Sequence, residues 1–212
     1  MKERIILIGG GGHSKSVIES IKSIGKFEIV GILDTYDKVG SYIYDIKIIG
    51  VDSDLKKYYN QGVKNAFVTL GSVGDPALRI KLYNYAYELG FEIPNIIDKT
   101  AIISPTSVLG KGNFIGKGAI VNCNTYIGNN SIINTGCIVD HDCKIEDFVH
   151  VAPGTVLSGG VSIGKNTHIG TNSTIIHCIE IGSNTTIGAG SVVVKNIGSN
   201  IKAYGNPCKE VD

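Results

Sequence analysis

The chain has 212 residues, with 20 Lys and Arg against 19 Asp and Glu, a net charge of +1 and 42% hydrophobic residues, enough for one large or two small cored domains. A near-neutral balance without a basic block excludes an electrostatic footprint for nucleic acid or an anionic membrane, so the expected partner is a small molecule. The apolar start of MKERIILIGGGGH is too short for a signal peptide and no apolar run approaches a membrane span, which predicts a cytoplasmic protein.

In chain order, Arg4 to Ile8 reads as a buried strand that runs into Gly9, Gly10, Gly11, Gly12 and His13. A helix follows, capped by Ser14 or Ser16, with Val17, Ile18, Ile21 and Ile24 at helical spacing and Gly25 at its end. Phe27 to Leu33 is the second strand and ends at Asp34. This β-Gly-loop-α-β unit is similar to the first half of a dinucleotide-binding fold, yet G-x-G-x-x-G fails because Ser14 or Lys15 stands where the third Gly belongs. The loop still offers N–H groups and a helix N-terminus to a phosphate, and Asp34 can accept from a ribose or base, so a nucleotide without nicotinamide fits better than NAD. Ile46 to Gly50 predicts a strand, Asp54 to Gln61 a helix capped at Asp52 or Ser53, and Ala66 to Leu70 a strand ending at Gly71. Asp75 and Pro76 open a helix carrying Leu78, Leu82, Tyr85 and Leu89, and Phe91 to Ile97 predicts the strand that leaves this unit. Residues 1–95 are thus expected to form a small Rossmann-like α/β domain with its ligand at the carboxyl edge of a parallel sheet.

From Ile97 to Val193 an aliphatic residue falls at every sixth position without exception. Period six fits neither a helix face nor strand alternation and marks a parallel β-helix. Four residues on, the position is small or β-branched in nearly every repeat, Asn113 and Ile179 being the departures, and the residue just after the aliphatic one is often Gly, as at Gly110, Gly170 and Gly188. Those glycines are expected to supply the positive φ of a tight corner. Residues 96–212 are therefore expected to form the solenoid and a closing segment. Of the five cysteines, odd in number and without a CxxC pair, Cys137 and Cys143 fall on the small-residue stripe and read as buried.

Among five histidines the informative one is His141, because Asp140-His141-Asp142 sets an imidazole between two carboxylates. It reads either as a solvated corner or as a base with an orienting acid, and the solenoid setting favours the base. The joint pattern of G-x-G-H after the first strand, V-D-H-D-C, F-V-H-V and a terminal Gly205-Asn206-Pro207-Cys208-Lys209 resembles the bacterial sugar acetyltransferases of the hexapeptide acyltransferase superfamily. That family includes the sialic acid O-acetyltransferase-like proteins and the N-acetyltransferases of UDP-4-amino-sugars, and the resemblance spans essentially the whole chain.

The resemblance implies a left-handed coil, against the usual crossover hand, and acetyl-CoA as co-substrate with no metal. It implies His141 as general base with Asp142 as its carboxylate partner, and His150 against the acetyl end of acetyl-CoA. Backbone amides near Gly159 and Gly170 are expected on coenzyme A, and the resemblance implies Pro207 and Lys209 near its adenine end. Gly10, Gly11, Gly12, His13, Asp34 and Gly71 would then hold the nucleotide-activated amino-sugar, with a uridine on Asp34. The expected assembly is a homotrimer with donor sites between neighbours. Thr35 stands where some members carry a second acid, and the loop after Leu70 departs from their shorter forms. His168 and His177 are expected at the surface or an interface. Three alternatives compete: an O-acetyltransferase acting on sialic acid or another sugar hydroxyl, a γ-type zinc carbonic anhydrase, whose H-x-x-x-x-H spacing is missing, and a non-catalytic nucleotide-binding scaffold.

Overall fold

A computed structural model describes residues 2–211. Strands β1 (Glu3–Ile8), β2 (Phe27–Leu33), β3 (Tyr42–Ile43), β4 (Ile46–Gly50) and β5 (Asn65–Val68) form one sheet in the order β3-β4-β2-β1-β5. Pairing is parallel except at the β3–β4 hairpin. Helices α1 (Gly12–Ile24), α2 (Leu55–Asn60) and α3 (Ala77–Glu88) complete the unit. Alternating βαβ segments bury near-continuous apolar strands between layers, and Ile5 to Ile8 are fully buried accordingly.

Three local expectations need correction. Helix α1 begins earlier than predicted, at Gly12 with Gly11 as N-cap, and the Ser14 hydroxyl folds back to donate to the Gly11 carbonyl at 2.6 Å. No side chain caps it, which leaves the first-turn N–H groups open to a ligand. Helix α3 buries Arg79, Leu82, Tyr83 and Ala86, while Leu78 is exposed. Its inner face is turned because it packs on the solenoid as well as on the sheet. Residues 91–97 are not one strand: Glu92 makes an isolated bridge to Asn65, and the strand Ile96–Ile97 already belongs to the solenoid.

From Ile96 to Val193 the chain forms a left-handed β-helix of two-residue strands on three sheets. The first face runs from Ile96–Ile97 to Thr186–Ile187, the second from Ile102–Ile103 to Val192–Val193, and the third from Val108–Leu109 to Glu180–Ile181. Each residue pairs in parallel with the one a full turn on, as Ile120 with Ile138 and His150 with His168. The sixth-position aliphatics fill the interior, Ile133, Val139, Ile145 and Leu157 all being fully buried. Cys137 and Cys143 lie among them, and burial pushes both thiols up to about 11.

The corners correct the reading of the glycines. From Leu109 to Ile187 positive φ occurs three residues after each interior aliphatic, at Asn124, Asn130, Asp142 and Asn166 among others, and not just after it. Asn and Asp tolerate that left-handed geometry because their short polar side chains bond locally. The glycine after the aliphatic has a different cause. A Cβ at Gly170 would lie 2.5 Å from the Ala189 nitrogen of the next coil, so the position is emptied by close approach of backbone.

The α/β unit docks on the first face. Ile5, Val17, Ile18 and Ile21 share one apolar cluster with Ile96, Phe114 and Ile132. Polar ties flank it: Ser20 donates to Asp98 at 2.6 Å, and the buried Arg79 guanidinium donates to the backbone carbonyls of Asn130 and Phe148. Arg79, Asn130 and Phe148 hold the corner between the third and first faces.

Ile145→Ala should cost about 2–5 kcal/mol, the range for deleting a buried aliphatic side chain that neighbours cannot close over. Denaturant titration measures it, and a loss below about 1 kcal/mol would show that the stacked interior relaxes.

Candidate active site

The corner between the second and third faces carries His141. Its Nδ1 lies 2.7 Å from Asp142 Oδ2, and its backbone N–H donates to Asp140 Oδ1 at 2.8 Å. Asn122, one coil earlier, donates to the same Asp140 oxygen at 2.9 Å. The Asp142 hydrogen bond, and then the Asp140 charge, raise the His141 pKa above its ordinary value. With Nδ1 engaged, Nε2 is the nitrogen left to exchange a proton.

One coil on, Gly159 lies directly under the ring. A Cβ there would stand 2.5 Å from His141 Cε1 and 2.6 Å from Nε2, so only glycine lets the imidazole take this position. The backbone N–H groups of Cys123 and His141 in this column are taken by Asn122 and Asp140 side chains, whereas Gly159 N–H meets no acceptor among the described residues. Gly170 differs: its N–H donates to the Ile187 carbonyl at 2.8 Å, so the amide expected for coenzyme A is already used. Pro207 and Lys209 lie at the closing hairpin, where Lys202–Tyr204 pairs with Lys209–Val211, coils away from His141.

The second assembly is a cleft of about 590 Å³ between the α/β unit and the solenoid. Gly11, Gly12, His13, Gly71, Ser72 and His150 line it, with Asn134 and Pro153 from the corner between the first and second faces. Cβ positions at Gly11 and Gly12 would meet nothing within 4 Å, which leaves the N-terminus of α1 open to a ligand. Burial, and then the Arg79 charge, push the His13 pKa down to about 4, and its Nε2 is buried without a partner.

Gly10 and Asp34 lie behind the cleft wall and satisfy each other. Asp34 Oδ2 accepts the Gly10 N–H at 2.6 Å, Oδ1 accepts the Thr35 N–H at 2.7 Å, and Lys38 sits 3.1 Å from both oxygens. Burial alone would raise this carboxyl, but those three donors hold it below its ordinary value. Asp34 therefore shapes the glycine loop as well as offering an acceptor at the sheet edge.

His150 is nearly fully buried. Its Nδ1 meets the Ser72 carbonyl at 2.6 Å and its Nε2 meets Asn134 Nδ2 at 3.2 Å, so both nitrogens are engaged within the chain. Burial pushes its pKa down to about 3. His168, expected at the surface or an interface, is buried with its ring centroid 4.9 Å from that of His150, edge to face. Asn134, Ser72 and Arg79 escaped the sequence reading because nothing in the repeat marks Asn134 from its neighbours, and Ser72 acts through its backbone.

Among the described residues no cluster of three or more His, Cys, Asp or Glu side chains could hold a metal, and no helix is long and apolar enough to cross a membrane.

Comparison with known proteins bears on these two assemblies. Residues 4–86 match the PglD N-terminal domain, and residues 124–159 and 160–195 match the bacterial transferase hexapeptide (six repeats). A crystal structure of a His-to-Asn variant of perosamine N-acetyltransferase from Caulobacter crescentus, in complex with CoA and GDP-perosamine, is 36% identical, with 98% of this chain and 96% of that chain covered at a TM-score of 0.93. The acetyltransferase domain of PglB from Neisseria gonorrhoeae FA1090 in complex with acetyl coenzyme A is 32% identical, with both chains covered in full and a TM-score of 0.92. Uncharacterized protein L142 of Acanthamoeba polyphaga mimivirus is 40% identical over 110 residues, which are 52% of this chain and only 20% of that relative's length.

A three-faced hexapeptide solenoid bearing an acid-supported histidine, with a glycine-lined α/β cleft docked upon it, defines the class of hexapeptide acyltransferases. Within that class the chain belongs to the sugar N-acetyltransferase family that carries a PglD-type N-terminal domain.

Proton NMR of the histidine rings should separate these environments. His141 is expected to titrate above about 6.5, the unperturbed value, while His13 and His150 stay neutral until about 4 and about 3. A His150 that charges near neutral pH would contradict its burial.

Proposed function

We propose that the protein transfers an acetyl group from acetyl-CoA to the amino group of a nucleotide-linked amino-sugar. The observation that carries this reading is the His141 corner, where an acid-supported imidazole lies over a glycine whose N–H is free. His141 Nε2 takes a proton from the attacking amine as its nitrogen bonds to the thioester carbonyl carbon. Gly159 N–H faces the region where negative charge then develops on the carbonyl oxygen, as a preformed donor. When the C–S bond breaks, His141 returns its proton to the departing sulfur. Holding amine and thioester side by side supplies much of the acceleration.

The acceptor class rests on the cleft and on the relatives. An uncapped helix N-terminus suits a diphosphate, and the Caulobacter relative holds a nucleotide amino-sugar together with CoA. Our finer reading is a UDP-4-amino-sugar with its base near Asp34. The Caulobacter relative holds a GDP-sugar, so a thermal-shift panel of UDP, GDP, dTDP and CMP compounds tests the base, the preferred nucleotide raising the melting point most.

The placement of the two assemblies on different corners supports a homotrimer. His141 lies between the second and third faces, whereas the cleft opens at the corner between the first and second. One chain thus carries base and cleft at the two edges of its second face. The outward positions of that face are Ile102, Ile120, Ile138, Val156, Thr174 and Val192, a column apolar except at Thr174, with Ile102 64% and Ile138 39% exposed. A homotrimer packed through it would cover this surface and bring the base of one copy toward the cleft of the next. Ile138→Lys is expected to yield monomers in light scattering with activity lost at least tenfold. A monomeric variant with full activity would sink the shared site.

His141→Ala should lower kcat by about 10² to 10⁴ with little change in melting temperature, since an exposed corner side chain contributes little to the core. The pH dependence has a definite sign. A base works unprotonated, so activity is present above its pKa and lost as pH falls through it, and the raised pKa puts that limb above about 6.5. In Asp142→Asn the limb should move to lower pH, because the main interaction favouring the charged ring is gone. A limb that stays in place would show that Asp142 does not support the base.

A further inference from the structure

One turn before His141 the same corner carries Asn122, Cys123 and Asn124, and the parallel register sets them against Asp140, His141 and Asp142. Backbone bonds hold that register on both sides. The Asn122 N–H donates to the Val139 carbonyl at 2.9 Å, and the Asp142 N–H donates to the Cys123 carbonyl at 3.0 Å. Each acid beside the ring therefore has an asparagine one coil before it.

Asn122 does more than its corner requires. Its Oδ1 accepts the Cys123 N–H at 2.9 Å, a turn that an aspartate would serve equally well. Its Nδ2 donates to Asp140 Oδ1 at 2.9 Å, the oxygen that also accepts the His141 N–H. An aspartate at 122 would face Asp140 with a second carboxylate. Asn124 has a corner reason of its own, a φ of +56, which asparagine tolerates. Its amide also reaches the acid: the Asp142 carboxyl is held below its ordinary value by the His141 ring first and by the Asn124 side chain second.

Asp142 is exposed and Asp140 half-buried, so packing does not fix their rotamers and hydrogen bonds must. The titratable groups around the ring are few. Asp140 and Asp142 flank it, Cys123 stands one coil before, the two glycines one coil on carry no charge, and His177 and Cys178 follow two coils away. The placement of the two carboxylates is thus what distinguishes this imidazole from a solvated one.

We propose that Asn122 and Asn124 are positioning residues for the base: standing one turn before Asp140 and Asp142, they hold the two carboxylates on either side of His141 and so set the orientation and basicity of its ring. This rests on reading His141 as the base.

Double-mutant cycles separate positioning from contact. Steady-state kinetics use acetyl-CoA with GDP-perosamine or a UDP-4-amino-sugar, whichever the wild-type enzyme turns over. In Asn122→Ala the Asp140 carboxylate is free to swing from the ring, so the acidic limb of kcat should move to lower pH. Its plateau should fall about threefold or more, with both KM values within about twofold. Asp140→Ala should do the same, and adding Asn122→Ala to it should change nothing further. Asn124→Ala and Asp142→Ala should form a second such cycle. Proton NMR of the His141 ring gives a readout that needs no substrate, its midpoint falling below that of wild type in Asn122→Ala and in Asn124→Ala. The proposal is overturned if His141 titrates as in wild type in either variant, if the double variants lose as much as the two singles together, or if a KM rises with kcat unchanged, which would make the asparagine a substrate contact. Should Asn122→Ala not fold, the Asn124 cycle decides alone. A protein that turns over no amino-sugar but shows the lowered midpoints would count against the assigned reaction and leave the bracket standing.

Discussion

Parallel pairing of each residue with the one a full turn later is the constraint on which the rest of the structure depends. Its ladder satisfies the backbone coil by coil, and its interior column of Ile, Leu and Val keeps every coil in register. Register has chemical consequences at the surface. It sets His141 over Gly159 and His150 beside His168, pairs that no local sequence rule would bring together. A side chain on this solenoid acquires its environment from the residues one turn away, and Asn122 braces Asp140 by the same arithmetic.

The second layer of organisation is the docking of the α/β unit. Its apolar contact with the first face buries groups that would otherwise be solvated, Arg79 above all. That guanidinium lies 3% exposed with two backbone carbonyls as partners, and burial lowers its pKa to about 10. A buried arginine is costly unless its donors are met, and here its two terminal nitrogens are met by corner carbonyls, while Nε finds no partner among the described residues. Domain docking and the cleft are consequently one construction: the helix that carries Arg79 follows closely on the loop that lines the cleft.

How much of this was legible in the sequence depends on the range of the interaction responsible. The interior column was legible because a six-residue period repeats a purely local rule, and the His141 site because its two acids are adjacent in sequence. The glycines that follow many of the aliphatics do mark corners, as their spacing suggests, but a positive φ is not their cause. Their cause is the neighbouring coil's backbone, as at Gly170 against Ala189, and one strand at a time cannot show it. Leu78, Leu82 and Tyr85 form an apolar stripe in the sequence, whereas α3 also presents Arg79 to the solenoid and leaves Leu78 exposed. The Ser72–His150 tie was invisible, because a backbone carbonyl leaves no trace in composition.

The histidines show one side chain tuned to opposite ends by position alone. At a solvated corner between two carboxylates, His141 is made more basic, which suits the role of base proposed for it. Beneath the docked unit, His13, His150 and His168 lose solvent and share the field of Arg79, and all three are held neutral. A neutral imidazole has one donor and one acceptor in fixed directions, so it can tie a carbonyl on one side and an amide on the other as His150 does. A charged ring would offer two donors, lose the Asn134 bond and leave an unpaired charge in the docked interface. The low pKa of His150 thus keeps both of its hydrogen bonds in place over the pH range where His141 changes charge.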